Sequence, residues 1–202
     1  EKLNPSIFNN IKFKYINQSE QKGLGHAIML AHEHINEEPF AILLPDDLFF
    51  SEESCLIQLS NVYALKGNSV IAVNEIDSEN IHKYGVINPG KIEGRAIDII
   101  DIVEKPKFED APSNIAVCGR YILNSSIFEY LQNVKPDDSG EIQLTDAIKI
   151  MLKSESVSAC IYEGEKFDCG SKKGFVEATI AISLRDPDIQ DDIKSFIAKE
   201  EF

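Results

Sequence analysis

Pro39-Phe40-Ala41-Ile42-Leu43-Leu44-Pro45-Asp46-Asp47-Leu48 is an unbroken apolar run that stops at a proline and then delivers two carboxylates. Short runs of this kind suit a strand covered on both faces, as in a parallel sheet. Outward from it the periodicity alternates. Residues 23–35 open on Gly23-Leu24-Gly25-His26 and read as a helix. Residues 52–66 have Leu56, Leu59, Val62 and Leu65 at helical spacing, with Gly67-Asn68 as a stop. Residues 69–76 are rich in β-branched side chains and read as the next strand. Upstream, Ile11-Lys12-Phe13-Lys14-Tyr15-Ile16 alternates apolar and polar, the pattern of a half-exposed strand.

Downstream the text changes. Residues 84–87, 97–103 and 115–123 read as strands split by turn residues, with no long helix between them. Helices return over 141–153 and 172–184, with a strand at 157–162, and 188–202 reads as a charged amphipathic tail helix. There is no internal repeat and no low-complexity linker. The rhythm implies an α/β fold in a single domain over residues 1–202, carrying a β-rich insertion. Ligands in such sheets bind beyond the carboxyl ends of the strands, which directs attention back to Asp46 and Asp47.

Composition narrows the partners. The chain has 202 residues, 20 Lys+Arg against 34 Asp+Glu, and a formal net charge of −14. Nucleic acid and anionic membrane surfaces both demand a basic footprint, so neither is expected as a partner. Small phosphorylated molecules need only a local cluster of lysines. With 43% hydrophobic residues the chain can bury a core, yet no apolar stretch approaches the ~20 residues of a membrane span. Cys55, Cys118, Cys160 and Cys169 are scattered, with no C-x-x-C pair. Reduced thiols and a cytoplasmic location are expected, and no signal peptide is read at the start.

Four stretches can carry chemistry. Hard cations such as Mg²⁺ take oxygen ligands, often one or two carboxylates completed by substrate phosphates. Successive residues of an extended chain point to opposite sides, so Asp46 and Asp47 are not expected to share one role. A loop carboxylate capping the following helix is the plainer alternative. Phe167-Asp168-Cys169-Gly170-Ser171-Lys172 runs from a strand end into a helix. Asp168 suits a second cation ligand and Lys172 a phosphate contact at a helix N-terminus, while Ser171 as an ordinary N-cap is the alternative. In residues 17–27, Gln18 offers a donor and an acceptor to a base edge, and the glycines allow close backbone approach; a solvated loop would look the same. In Val103-Glu104-Lys105-Pro106-Lys107, Lys105 can meet a phosphate and Glu104 can accept sugar hydroxyls, or the two form a surface ion pair. His32 and His34, two apart on a helix, cannot face one metal. Cys169 has no basic partner visible in sequence and is not expected to be a nucleophile.

The order of these motifs matters more than any one. Gln18-x-x-x-Lys22-Gly23-Leu24-Gly25-His26-Ala27, Leu44-Pro45-Asp46-Asp47, Tyr84-Gly85, Val103-Glu104-Lys105-Pro106-Lys107, Ala111-Pro112-Ser113-Asn114-x-Ala116-Val117-x-Gly119-Arg120-Tyr121, Gly140-Glu141-Ile142-Gln143-Leu144-Thr145-Asp146-Ala147 and Asp168-Cys169-Gly170-Ser171-Lys172 follow one another. From about residue 10 to about 185 the chain resembles the bacterial UTP–glucose-1-phosphate uridylyltransferases, or UDP-glucose pyrophosphorylases. The resemblance implies a Rossmann-like nucleotidyltransferase core, a mixed and mostly parallel sheet, with a β-rich sugar-binding insertion. It implies Mg²⁺ as cofactor, UTP and glucose 1-phosphate as substrates, UDP-glucose and pyrophosphate as products, and a homo-oligomer, dimer or tetramer. Residue by residue, Asp46 and Asp168 match the family's Mg²⁺ ligands, and Gln18 and Gly23 match its contacts to the uracil edge. Gly85, Glu104 and Val117 match contacts to the glucose ring, Lys105 matches the lysine on the sugar phosphate, and Lys172 matches one near the phosphates. Asp46, Lys105 and Asp168 are therefore the expected catalytic set. Asn114 and Gln143 lie inside family motifs without an assigned contact.

One departure is large. The family opens with a strand and a G-x-G-T-R loop, followed by a lysine, that wraps the triphosphate. The only G-x-G here is Gly23-Leu24-Gly25, which belongs to the later motif. The expectation is a family fold lacking its N-terminal strand–helix units, nearly inactive as 202 residues. Two rivals stand beside it: a sister thymidylyltransferase using dTTP, and a non-catalytic fragment that binds sugar phosphate or joins subunits.

Overall fold

The structure, a computed structural model, describes residues 11–199. Its centre is a six-stranded sheet built from β1 (Phe40–Leu43), β3 (Ser69–Glu75), β4 (Val86–Glu93), β5 (Ala96–Val103), β6 (Ile115–Leu123) and β7 (Val157–Ile161), in the order β1-β6-β3-β7-β5-β4. A separate two-stranded antiparallel sheet pairs β2 (Asp47–Phe50) with β8 (Glu165–Asp168). The helices are α1 (Gly23–Leu30), α2 (Cys55–Lys66), α3 (Ile127–Leu131), α4 (Leu144–Met151), α5 (Lys172–Ser183) and α6 (Gln190–Ile197).

Period-two alternation along β3 explains why the sheet is covered on both faces. Val70 and Ala72 point to one side and pack with Cys55, Leu59 and Val62 of α2. Ile71 and Val73 point to the other, against Ile28, Phe128, Leu131, Ile148 and Met151 of α1, α3 and α4. Helix α2 starts where the Ser54 hydroxyl accepts the Ile57 N–H at 3.4 Å, and stops at Gly67, whose φ of 68° suits a residue without a side chain. The β-rich stretch is no separate layer. Strand β5 pairs with β7 and with β4, so the expected insertion extends the central sheet.

The α/β class and the mixed sheet hold, but several finer expectations do not. Predominantly parallel pairing is not found among the described strands: β3–β7 is parallel, and the other pairings are antiparallel. The tight turn at 94–95 reverses β4 into β5, and the longer connection from β5 leaves β6 antiparallel to its neighbours β1, β3 and β4. The run at 39–44 forms β1, but at a sheet edge with Leu43 53% exposed. An apolar run reports hydrophobicity without saying which faces are covered. Residues 11–16 are not a strand; Phe13 and Tyr15 are exposed. Alternation becomes a strand only where a neighbouring backbone takes up its N–H and C=O groups. The helix expected over 23–35 ends at Leu30 and tightens into a 3-10 turn at His32–His34, where His32 stacks on Phe128 with centroids 4.4 Å apart. Of the tail, α6 covers Gln190–Ile197, and residues 200–202 lie outside the described residues. No described helix is long and apolar enough to cross a membrane.

Candidate functional site

The β2–β8 pairing brings the distant aspartates together. Its antiparallel register sets Asp47 opposite Asp168, and the Cys169 N–H donates to the Asp46 carbonyl at 2.7 Å. Asp46 and Asp47 then part, as alternation requires. Asp47 turns inward, where its carboxylate pairs with Lys166 Nζ at 2.8 Å and accepts the Gly119 N–H at 2.8 Å. Any side chain on Gly119 would collide with that carboxylate. Asp46 stays at the surface beside Asp168. A Cβ built on Gly170 would stand 2.9 Å from Asp46 Oδ2 and 3.1 Å from Asp168 Oδ1, so the two carboxylates flank one small space that glycine keeps open. Asp168 is held by the Tyr84 hydroxyl, which donates to Oδ2 at 3.0 Å, and by the Gly170 N–H, which donates to Oδ1 at 3.0 Å. Burial, with the Asp168 carboxylate beside it, pushes the Tyr84 hydroxyl up to about 12, so it remains a donor at neutral pH.

Among the described residues no group of three or more His, Cys, Asp or Glu is placed to hold a metal. Two carboxylates around an open space suit a hard cation that keeps water or substrate oxygens in its remaining positions.

Next to the aspartates opens a cleft of about 320 Å³, lined by the ends of β4, β5 and β6 and the start of α4. Asp46, Gly85, Glu104, Lys105, Val117 and Asp168 all line it. Gly85 sits where a Cβ would come within 3.1 Å of both Glu104 Oε2 and Thr145 Oγ1, and its carbonyl accepts the Val117 N–H at 2.8 Å. Lys105 has φ 42°, a costly conformation for a side-chain-bearing residue. Its N–H donates to the Tyr84 carbonyl at 3.1 Å and its ammonium stands 3.5 Å from Glu104. The strained backbone thus holds a half-exposed lysine over the cleft. Burial, then the Glu104 charge, pushes the Tyr121 hydroxyl well above the ordinary phenol range.

The remaining predicted residues stand apart. Gln18 Nε2 donates to the Gly23 carbonyl at 3.1 Å and lies 3.0 Å from His26 Nδ1. Gly23 and Gly25 allow close approach to 141–142: the Gly25 N–H donates to the Ile142 carbonyl at 2.9 Å, and the Ile142 N–H to the Lys22 carbonyl at 2.8 Å. Only Leu24 of this loop lines the cleft; Gln18 and Gly23 do not. Lys172 is exposed as the first residue of α5, capped by Ser171 as its alternative reading expected, and it lines neither the cleft nor the chamber beside it. That chamber, about 680 Å³, shares Lys83, Tyr84 and Asp168 with the cleft and includes Asn114, Lys166 and Lys173. Gln143 lines the cleft while its amide donates to Asp137 at 2.8 Å and to Glu141 at 3.1 Å. The Ser139 hydroxyl and this amide hold Asp137 below the usual carboxylate range.

Sequence reasoning missed Tyr84, Lys83, Tyr121, Thr145 and Lys166. A signal existed for four of them, since Tyr121 and Thr145 also stand inside the quoted motifs. Tyr84 precedes Gly85 in its motif, and Lys166 lies two residues before Asp168, on the same face of a strand.

Known proteins resemble this chain in sequence and in fold. The family model described as nucleotidyl transferase matches residues 1–183. A UTP–glucose-1-phosphate uridylyltransferase of Staphylococcus epidermidis is 47% identical over 183 residues, 91% of this chain and 64% of its own length. A crystal structure of UDP-glucose pyrophosphorylase complexed with UDP-glucose superposes with a TM-score of 0.83 at 43% identity, covering 86% of this chain and 67% of that one. A UTP-bound enzyme of the same kind from Acinetobacter baumannii superposes with a TM-score of 0.80 at 34% identity, covering 91% and 64%. The chain thus spans about two thirds of the length of the relatives it matches. It carries the family's motifs in order and its fold, and it belongs to the nucleotidyl transferase family.

Proposed function

We propose that this chain belongs to an enzyme that joins UTP and glucose 1-phosphate into UDP-glucose and pyrophosphate. One observation carries the reading: Gly85, Glu104, Lys105 and Val117 line a single cleft together with Asp46 and Asp168. In this reading a phosphate oxygen of glucose 1-phosphate attacks the α-phosphorus of UTP. The bond from that phosphorus to the bridging oxygen breaks, and pyrophosphate leaves. Such chemistry asks for positioning and charge neutralisation more than for a covalent group.

Each residue then has a task. Glu104 accepts sugar hydroxyls in the space that Gly85 leaves open, and Val117 gives the ring an apolar wall. Lys105 reaches the sugar phosphate. Gln18 and Gly23 read the uracil edge and Lys172 meets a phosphate on the strength of their match to the family alone, since none of the three lines the cleft. Asp46 and Asp168 hold Mg²⁺, whose contribution when bound is to offset the charge of the phosphates. Tyr84 keeps Asp168 turned toward the shared space. A cytoplasmic setting is supported by four unpaired cysteines, three of them buried. The exposed Phe175 and Phe196 on α5 and α6 offer a surface for a homodimer or tetramer.

The cleft's basic lining residues are Lys83 and Lys105, few for two phosphorylated substrates in a protein of charge −14. Pyrophosphate release from UTP and glucose 1-phosphate should therefore be slow with this chain alone. It should rise by orders of magnitude when the chain is preceded by a family G-x-G-T-R segment. Asp46→Ala in the extended protein should abolish the Mg²⁺-dependent rate. Absence of turnover by the extended protein would remove the enzyme reading, leaving the sugar-phosphate-binding fragment. Preference for dTTP would favour the thymidylyl reading.

A further inference from the structure

Lys166 is a buried charge that the transfer reaction leaves without a task. Its side chain is 14% exposed and its Nζ lies 2.8 Å from Asp47 Oδ1, whose own side chain is 12% exposed. The same ammonium stands 5.0 Å from the centroid of the Tyr84 ring, within cation–π range. Tyr84 in turn donates its hydroxyl to Asp168 at 3.0 Å. In the β2–β8 ladder Lys166 faces Phe49 and Asp168 faces Asp47. Lys166 and Asp168 therefore share one side of β8, and the lysine reaches Asp47 along the diagonal.

A direct role on substrate fits poorly. Lys166 lines the 680 Å³ chamber and a smaller one of about 210 Å³, whereas Tyr84 and Asp168 line both of these and the cleft. To touch a ligand in the cleft, the ammonium would have to leave Asp47, and an unpaired carboxylate at that depth is costly. What the lysine can do is hold a ring in place.

We propose that Lys166 is a positioning residue: clamped on Asp47 and laid against Tyr84, it fixes the Tyr84 hydroxyl and, through it, the carboxylate of Asp168. The idea rests on the reading of Asp46 and Asp168 as the cation site. The clamp also neutralises Asp47, which lines the cleft beside Asp46 and Asp168.

The test measures Mn²⁺ affinity by electron paramagnetic resonance, beside glucose 1-phosphate affinity by calorimetry in chelator. Tyr84→Phe and Lys166→Met should each weaken Mn²⁺ binding about ten-fold, the scale of a lost hydrogen bond to a charged group. Mn²⁺ binding should fall by more than sugar-phosphate binding in both variants, because the chain of contacts from Lys166 through Tyr84 ends on Asp168, although Tyr84 and Asp47 also line the cleft. Lys166→Arg should restore Mn²⁺ binding. The double variant should bind no more weakly than Lys166→Met, because both residues act through one chain of contacts. Should Lys166→Met fail to fold, the paired variant Asp47→Asn/Lys166→Gln replaces it, with the same weakening expected. A folded Lys166 variant that binds Mn²⁺ like the wild type overturns the proposal, as does simple multiplication of the two effects. Crystal structures of the metal-free variants separate the two layers. The Tyr84 hydroxyl should leave Asp168 when the lysine charge is removed and stay with arginine. If it leaves but the wild type binds no Mn²⁺, the cation reading falls and the positioning stands. If it stays at 3.0 Å, the positioning falls.

Discussion

At the residue scale the site depends on which side chains are absent as much as on which are present. Gly85 leaves room between Glu104 and Thr145 where a methyl would come within 3.1 Å of each oxygen. Gly85→Ala should fold with little loss, since its backbone needs no left-handed conformation, yet raise KM for glucose 1-phosphate about ten-fold or more, read in steady-state kinetics of the extended protein. An unchanged KM would remove Gly85 from the sugar side. Gly174 is a harsher case, because a Cβ there would run into the Asp168 carbonyl. Gly174→Ala should cost about 1–3 kcal/mol by overpacking, measured by chemical denaturation, and should disturb the cation site as well.

At the scale of elements, the structure explains what the sequence could and could not disclose. Helices α2 and α5 were legible because a stop at Gly67 or a cap at Ser171 coincides with apolar spacing. The β2–β8 pairing was not. Each strand has four residues, and the pairing joins segments more than a hundred residues apart, which no local pattern encodes. For the same reason Asp46 and Asp168 were each individually ambiguous, and the Asp47–Lys166 pair was invisible. Glu104, Lys105 and Val117 were legible as motif members, but that they line one cleft follows from the antiparallel pairing of β4, β5 and β6. Ser171 accepts the Gly174 N–H at 3.0 Å and donates to the Asp168 carbonyl at 3.0 Å. Ser171→Ala should therefore lower stability by about 1 kcal/mol, seen as a fall in denaturation midpoint.

One ionic tie between elements sets a pH limit. Lys91 and Lys66 hold Glu93 down to about 2 from an ordinary 4.5, and Lys66 joins the end of α2 to the β4–β5 hairpin. A depressed carboxylate contributes its stability above its unfolded value and loses it as pH falls through the folded one. The loss should run from about 4.5 down to about 2, and Glu93→Gln should flatten that part of an acid denaturation curve. The pair is at the surface, so the effect should be modest.

At the scale of the whole molecule, a charge of −14 on 202 residues makes self-repulsion a measurable term. Raising ionic strength from low salt to about 0.15 M, where the Debye length is about 8 Å, should raise the Tm of this chain. The same negative field must be overcome locally for a sugar phosphate to enter, which is why Lys105 and the cation site carry so much of the account. The most direct measurement is a calorimetric titration of glucose 1-phosphate into this chain with Mg²⁺ present, beside Lys105→Ala and Asp46→Ala. The account predicts one site per chain, weakened about ten-fold or more in Lys105→Ala and made insensitive to Mg²⁺ in Asp46→Ala. Wild-type chain that is folded yet binds no sugar phosphate, or binding that ignores both substitutions, would contradict it.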